Sequence, residues 1–428
     1  MVEPTAPAAV PLSLHLQSAL GIAVILTLAW LFSENRRAFP FRIVAGGLLL
    51  QAALALLLLK VQLARDALFA LNGVVAALTG ATRAGTSFVF GFAGGGTPPY
   101  AVSDPTKATI FAFGVLPLVI VISALSALLW YWRILPVVIN GIAFVLKKLM
   151  GLGGAVGLGS GATIFLGMVE APLLIRPYLP KLTRSEMFIL LTVGLASVAG
   201  TVFVLYATIL KPVLPAALGH ILVASMMSLP GAIVIAKIMI PGETTTETTE
   251  ASVLSYKSSM DALARGTEDG LKIYLQIVAM LIVFLAIVSL ADSILKLFPA
   301  VAGEPLTLER IFGWLFSPVV WLFGVPWKEA PLAGSLMGVK VVLNELIAYL
   351  NLSALPKGSL DPRATLIMVY AMCGFANIGS VGIMIAGMST LVPERRDEIV
   401  PLAMRAMVSG LMASGLTGSM IGLLPISG

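Results

Sequence analysis

The 428-residue sequence predicts an all-α integral membrane protein. Three observations carry that reading. Apolar side chains make up 58% of the residues and charged ones 11%, against about 45–50% and about 25% in an ordinary soluble domain. The mean hydropathy is +1.00, so there are too few polar side chains to cover a soluble protein of this size. The apolar residues also fall in long continuous runs, unlike the alternating strands of an outer-membrane barrel. Together these exclude a cytosolic enzyme, a nucleic-acid-binding protein and a disordered chain.

Taken in order, the first span is predicted at Ser18 to Phe32. No charged segment precedes it and no small-residue cleavage site follows, so it does not read as a signal peptide. Arg36, Arg37 and Arg42 come next and suggest a cytoplasmic loop. A second span runs from Ile43 to Leu59. Val61 to Leu78 carries Arg65, Asp66 and Asn72 among apolar residues and predicts an interfacial amphipathic helix. Gly91 to Pro99 is a loop. The span Ala108 to Trp130 ends in an aromatic anchor, Trp130, Tyr131 and Trp132. Leu135 to Met150 is amphipathic and ends in Lys147 and Lys148.

The glycine-rich stretch Gly151 to Gly167, with the apolar stretch to Pro180, is interrupted by Glu170, Pro172, Arg176 and Pro177. Neither arm is long enough to span, which predicts a re-entrant hairpin. Spans follow at Met187 to Leu210 and Ala216 to Ile240. Gly242 to Thr249 is a polar loop, and an amphipathic piece leads into the span Leu271 to Leu290. A second interrupted stretch starts at Ile311, breaks at Pro318, Pro326, Lys328, Glu329 and Pro331, and closes around Asn344 and Glu345. The long segment Ala364 to Leu391 is broken by Gly374 to Ser380. The basic loop Glu394 to Asp397 and a last span, Val400 to Leu424, complete the chain.

The expected architecture is therefore eight transmembrane helices, two re-entrant hairpins and interfacial helices. The two halves share one plan, an interrupted hairpin followed by a helix with small polar residues at mid-span. Such paired interruptions point to a secondary transporter with an inverted-repeat core. Arg36/Arg37, Lys147/Lys148, Lys181/Arg184, Lys257/Arg265 and Arg395/Arg396 fall on one side of this topology, which would be cytoplasmic. Lys60, Arg65, Lys296 and Lys357 fall opposite. The net charge of +6 suits a lipid bilayer and positive loops. One cysteine, Cys373, excludes an internal disulfide or a cysteine metal cluster. His15 and His220 are not in metal-ligand spacing; both, like Cys373, read as structural, and no cofactor is expected.

Polar residues inside the predicted membrane are the functional candidates, because a charge there is costly unless paired or facing water. Glu170 could contact a ligand or carry a proton; an ion pair with Arg176 is the structural alternative. Glu345 could accept both hydroxyls of a vicinal diol or couple to protons, and Lys340 is its alternative partner. Asn377 and Ser380 sit in a helix break, suited to ligand or ion contact or to local capping. Phe375 could stack on a ring or simply pack. Thr163 and Ser197 are hydroxyls whose default is helix packing, with a cation role as the alternative. Glu329, beside Lys328, reads as structural.

Five stretches resemble the concentrative nucleoside transporter family. They are Gly85-Thr86-Ser87-Phe88-Val89-Phe90-Gly91, Glu170-Ala171-Pro172-Leu173-Leu174-Ile175-Arg176-Pro177, Gly324-Val325-Pro326-Trp327-Lys328-Glu329-Ala330, Asn344-Glu345 with Ala348-Tyr349, and Cys373-Gly374-Phe375-Ala376-Asn377-Ile378-Gly379-Ser380. They occur in the family's order. The resemblance implies three interfacial helices, a homotrimer in a bacterial inner membrane, and an elevator mechanism with nucleoside as substrate. Trimer contacts would come from Ala108 to Trp130 and Leu271 to Leu290. Residues 1–130 would hold the N-terminal spans and interfacial helix, mostly scaffold. Residues 131–240 and 305–428 would be the two hairpin repeats of the transport core, and 241–300 a cytoplasmic loop and scaffold span. Carried over, Gly167, Met168, Val169, Glu170 and Val202 would lie at the base. Glu345 and Asn377 would hold the ribose hydroxyls, with Phe375 and Ser380 close by.

Two departures matter. The family's usual Gly-Gln-Thr-Glu-Ala-Pro reads Gly167-Met168-Val169-Glu170-Ala171-Pro172 here. The amide and hydroxyl that would bond the base are gone, so base selectivity is expected to change or relax. Sodium-coupled relatives have Asn where this chain has Thr163; the carbonyls of Leu166 and Val198 and the Ser197 hydroxyl would complete that site. Thr is the poorer ligand for a hard cation, which favours protons, with Glu345 as carrier. Sodium-coupled transport of a modified or unusual nucleoside-like ligand is the alternative. An intramembrane enzyme lacks a visible nucleophile–base pair, and a channel would need pore-lining rings.

Overall fold

The computed structural model describes residues 11–101, 110–244, 246 and 255–424. Among these residues the structure is helical apart from an isolated bridge between Val301 and Glu304. Seven helical stretches of the described chain are long and apolar enough to cross a membrane.

Helices α1 (Leu12–Leu31) and α2 (Phe41–Lys60) match the first two predicted spans. α3 (Gln62–Phe90) extends the predicted surface helix through the Gly85–Phe90 motif; the side chains of Arg65 and Asn72 lie outside the described part. The predicted start at Ala108 also lies outside the described residues. From Ile110 the chain forms α4 (Phe111–Gly114) and α5 (Leu118–Tyr131), with Pro117 at their junction. α6 (Ile134–Met150) precedes the glycine-rich α7 (Gly154–Leu166) and the short α8 (Glu170–Leu173). A 3-10 segment, Arg176–Lys181, follows.

The single span predicted over Met187 to Leu210 is two helices, α9 (Arg184–Ala196) and α10 (Gly200–Leu210). Ser197 to Ala199 are extended between them. Next come α11 (Ala217–Met239) and α12 (Ser259–Leu295). Part of the predicted polar loop, residues 245 and 247–249, lies outside the described residues. At about 1.5 Å per residue, the 37 residues of α12 exceed the roughly 30 Å of a hydrocarbon core, as an amphipathic lead-in to a span requires. The rest is α13 (Leu308–Leu322), α14 (Ala330–Val342), α15 (Glu345–Ala354), α16 (Pro362–Met372), α17 (Ile378–Leu391) and α18 (Arg396–Leu423). The segment predicted at Ala364 to Leu391 is thus α16 and α17, separated at Cys373 to Asn377.

Charge and capping define two ends. At one, the Glu34 carboxylate accepts from Arg184 at 2.9 Å and pairs with Arg405. Arg395 there donates to the carbonyls of Leu179 and Leu182 at 2.9 and 2.7 Å. This gathers the loop after α1, the start of α9 and the start of α18, three of the segments read as cytoplasmic. At the other end Arg363 donates to the Gly324 carbonyl at 2.6 Å, and Ser18 to that of Phe323 at 3.0 Å. His15 Nδ1 lies 2.9 Å from the Leu423 carbonyl.

Two hairpins each leave and return at the same end, the first with a half-length helix and a short α8 plus 3-10 return, the second with two half-length helices. α7 begins beside Thr246, whose carbonyl accepts from Ala155 at 3.1 Å, and the chain is back at the Arg395 end by Leu179. α14 begins at Glu329, whose Oε2 accepts from the Asp361 amide at 3.0 Å just beyond α15. The second hairpin differs from the sequence expectation. Its inner turn is Leu343–Asn344, between α14 and α15, and α13 is an additional helix packed against α14. The turns Gly167–Val169 and Leu343–Asn344 therefore point inward from opposite ends. Between them the two broken helices touch: a Cβ on Gly374 would sit 2.6 Å from the Ala196 carbonyl oxygen, and the Phe375 amide donates to the Ser197 carbonyl at 3.2 Å. Only glycine permits that approach.

Candidate functional site

Where the inward turns meet the broken helices there is a cavity of about 200 Å³. The first turn contributes Gly167, Met168, Val169 and Glu170; α10 contributes Val202; α15 contributes Glu345; the α16–α17 break contributes Phe375, Asn377 and Ser380. Every residue read as substrate-binding lines this one space.

Glu345 is its best-defined group. It is the first residue of α15, and Asn344 caps that helix by accepting from the Ile347 amide at 2.9 Å. Asn377 caps α17 in the same way, its Oδ1 accepting from Ser380 at 2.8 Å. Capping fixes the amide's orientation, so Nδ2 turns to donate to Glu345 Oε2 at 3.2 Å. Tyr206 donates to the other oxygen, Oε1, at 2.6 Å. A carboxylate has roughly four lone-pair sites; the two side-chain bonds hold its plane and leave acceptor capacity for a ligand. No cation stands within ion-pair distance of Glu345 among the described residues, so Lys340 makes no direct ion pair with it, although the two charges act on each other. Lys340 is fully buried, and its ammonium has no hydrogen-bond partner among the described residues.

Glu170 starts α8. Its Oε2 would lie 2.9 Å from a Cβ on Gly167, where φ is +90°. The carboxylate thus folds back over a glycine that no other residue could replace without strain. Its predicted alternative, an ion pair with Arg176, does not form among the described residues. Met168 and Val169 pack on neighbouring helices. Cβ atoms added at Gly194 and Gly387 would meet Met168 Cβ at 3.1 Å and Val169 Cγ1 at 2.7 Å.

Of the residues read as cation-coupling, Glu345 lines the cavity and three lie deeper. Leu166 borders the cavity; Thr163, Ser197 and Val198 are buried behind it. The end of α7 packs on the α9–α10 break through Gly200, where a Cβ would be 3.1 Å from the Phe165 carbonyl. Thr163 donates to the Gly159 carbonyl at 2.9 Å and Ser197 to the Val193 carbonyl at 2.8 Å, each within its own helix. Among the described residues no cluster of His, Cys, Asp and Glu could hold a metal ion.

The sequence reading missed Tyr206, Thr201 and Gln276, all of which line the cavity. Tyr206 was within reach, since it lies four residues after Val202 and shares its helix face. Gln276 carried no signal, because nothing in the sequence places α12 against the hairpin turns. The structural readings of His220, Cys373 and Glu329 agree with their surroundings. His220 Nδ1 lies 3.1 Å from the Tyr370 hydroxyl, Cys373 is buried, and Glu329 binds the Asp361 amide.

Residues 20–93 match the family described as "Na+ dependent nucleoside transporter N-terminus", 112–213 match "Nucleoside recognition", and 220–422 match "Na+ dependent nucleoside transporter C-terminus". The nucleoside permease NupC of Helicobacter pylori is 35% identical over 413 residues, covering 95% of this chain and 97% of the relative. Among solved structures, CNTnw in an inward-facing substrate-bound state superposes with a TM-score of 0.85 at 36% identity, covering 95% of this chain and 98% of that one. A CNTnw variant in an outward-facing state gives 0.87 at 35% identity, covering 96% and 98%. The chain is thus a multi-pass membrane transporter rather than an enzyme, and it belongs to the concentrative nucleoside transporter family.

Proposed function

We propose that this protein takes up nucleosides across a bacterial inner membrane, driven by a cation gradient. The observation that carries this is the Glu345 carboxylate. It opens on the cavity and is held in plane by Tyr206 and Asn377, which suits bidentate capture of the two hydroxyls of a ribose. Glu170 and Val202 stand at the part of the cavity assigned to the base. Thr163, Leu166, Ser197 and Val198 are the residues assigned to ion coupling. Protons are the favoured ion, with Glu345 as carrier. Both hydroxyls of the would-be sodium site are donated within their own helices, and Thr163 offers no amide oxygen.

The paired interrupted hairpins support a reading of alternating access. The hairpins α7–α8 and α14–α15 would be re-entrant from opposite sides, as the halves of an inverted repeat, with α16–α17 as an eighth, broken span. Residues 131–240 and 305–428 would travel as an elevator, with α1 and α2 packed on α18 and α11. α5 and α12, with α3, would form the static scaffold of a homotrimer. Few residues of the apolar part of α12 are fully buried in the single chain, as expected of a helix with lipid and a second copy around it.

Uptake into proteoliposomes decides the ion. Accumulation driven by an inward proton gradient in sodium-free buffer, and abolished by a protonophore, is the expected result. Accumulation that needs sodium and ignores the pH gradient would replace protons with sodium; no accumulation under either gradient would overturn the symport reading. Competition by purine, pyrimidine and modified nucleosides tests the relaxed base selectivity expected from Met168 and Val169. A strict uridine preference would sink that expectation.

A further inference from the structure

We infer that Gln276 on α12 is a base-reading residue, supplying hydrogen bonds that the Met168–Val169 turn cannot make. The inference rests on the nucleoside reading above. α12 presents one stripe to the cavity, consisting of Ile273, Gln276, Ile277, Met280, Leu281 and Phe284. Their spacing is that of a single helix face. Gln276 is the one member of that stripe with a hydrogen-bonding side chain.

Three facts give it a task. First, a primary amide within an apolar stripe at membrane depth is costly unless it finds a partner. Gln276 makes no hydrogen bond with any described residue, although it is exposed toward the cavity. Second, the wall that should read the base is apolar. Val169 is packed on Gly387 and Met168 on Gly194, so neither position offers a donor or acceptor. Third, the ribose end of the cavity is polar at Glu345 and Asn377, whereas the Gln276 stripe and the first turn border the same space from α12 and α8. A nucleoside held by its sugar hydroxyls at Glu345 must turn its base toward those remaining walls. Among the described residues, the polar side chains on those walls are Glu170, Thr201 and Gln276. A carboxylate accepts, whereas an amide both donates and accepts. Gln276 can therefore meet the carbonyl edges of uracil and hypoxanthine as well as the amino edges of cytosine and adenine. The chemistry fits purine and pyrimidine nucleosides alike, with Gln276 able to donate and accept where Glu170 only accepts.

The test is binding of a nucleoside panel to the purified full-length protein, with Gln276→Met, which keeps length and removes hydrogen bonding, and Gln276→Glu, which keeps acceptors and removes donors. One lost hydrogen bond corresponds to about 5-fold in affinity. Gln276→Met is expected to weaken uridine, inosine, cytidine and adenosine by about 5-fold and to leave a methyl riboside, which lacks a base, unchanged. Gln276→Glu is expected to weaken uridine and inosine while sparing cytidine and adenosine. Should Gln276→Met fail to fold, the Gln276→Glu inversion of preference stands as the test. Equal affinities for every ligand in wild type and variants would overturn the role of Gln276 while leaving nucleoside transport intact. Wild-type protein that binds no nucleoside would overturn both.

Discussion

At the scale of single residues, the site depends on how few polar groups so apolar a chain keeps inside. Glu345 does not stand alone, because Tyr206 and Asn377 hold both its oxygens. Tyr206→Phe removes one charge-assisted hydrogen bond and leaves the ring packed edge-to-face on Tyr349 at 5.2 Å. The carboxylate should then lose orientation without loss of fold. Nucleoside affinity is expected to fall by roughly 10-fold, for about 1.5 kcal/mol, with Tm little changed; calorimetric titration checks the first and a melting curve the second. Glu170, Glu345, Asn377 and Ser380 were all legible as polar residues at predicted membrane depth. Tyr206 could have been found from its place one turn after Val202 on the same helix face, whereas Gln276 could not, since it gains its place from elements distant in sequence.

At the scale of elements, most spans were legible because about 20 apolar residues can do little else in a bilayer. The places where the reading fell short are those where backbone contacts decide. The α9–α10 break at Ser197 to Ala199 carries no proline and reads as continuous apolar text; its cause is the crossing of α16–α17, with Gly374 against Ala196. The second hairpin was displaced for a similar reason, because the prolines at Pro326 and Pro331 mark the α13–α14 turn and hide the inner turn at Leu343. Two predictions belong here. α12 lies against α5 through Gly266, where a Cβ would be 2.7 Å from that of Ala127 and 2.9 Å from the Ser123 carbonyl. Gly266→Leu should force these helices apart and destabilise the protein by about 1–3 kcal/mol, read as a lower Tm and lower uptake. Thr183 starts α9 with a capping box, its Oγ1 accepting from Glu186 and its amide donating back to the Glu186 carboxylate at 2.8 Å. Thr183→Ala should cost about 1 kcal/mol, again seen in Tm, with nucleoside affinity unchanged.

At the scale of the whole molecule, one end is fastened by ion pairs and the interior by the site. Glu34, in the turn after α1, has its carboxyl held below the ordinary carboxylate range, chiefly by its hydrogen bond from Arg184, with Arg405 adding to the effect. A depressed carboxylate contributes stability that is present above its unfolded value and lost as pH falls through the folded one. Wild-type Tm should therefore drop more steeply on acidification than that of Glu34→Gln, and a melting series from neutral to acid pH reads the difference. Equal slopes would remove Glu34 from the account. The central claim is that Glu345 and Asn377 hold the ribose hydroxyls of a nucleoside. The most direct measurement is the affinity of the purified protein for a ribonucleoside and for its 2′,3′-dideoxy analogue, in wild type and in Glu345→Gln. The account predicts tight preference for the ribonucleoside in wild type and near-equal, weak binding of both by the variant. A variant that still prefers the ribonucleoside as strongly as wild type would contradict it.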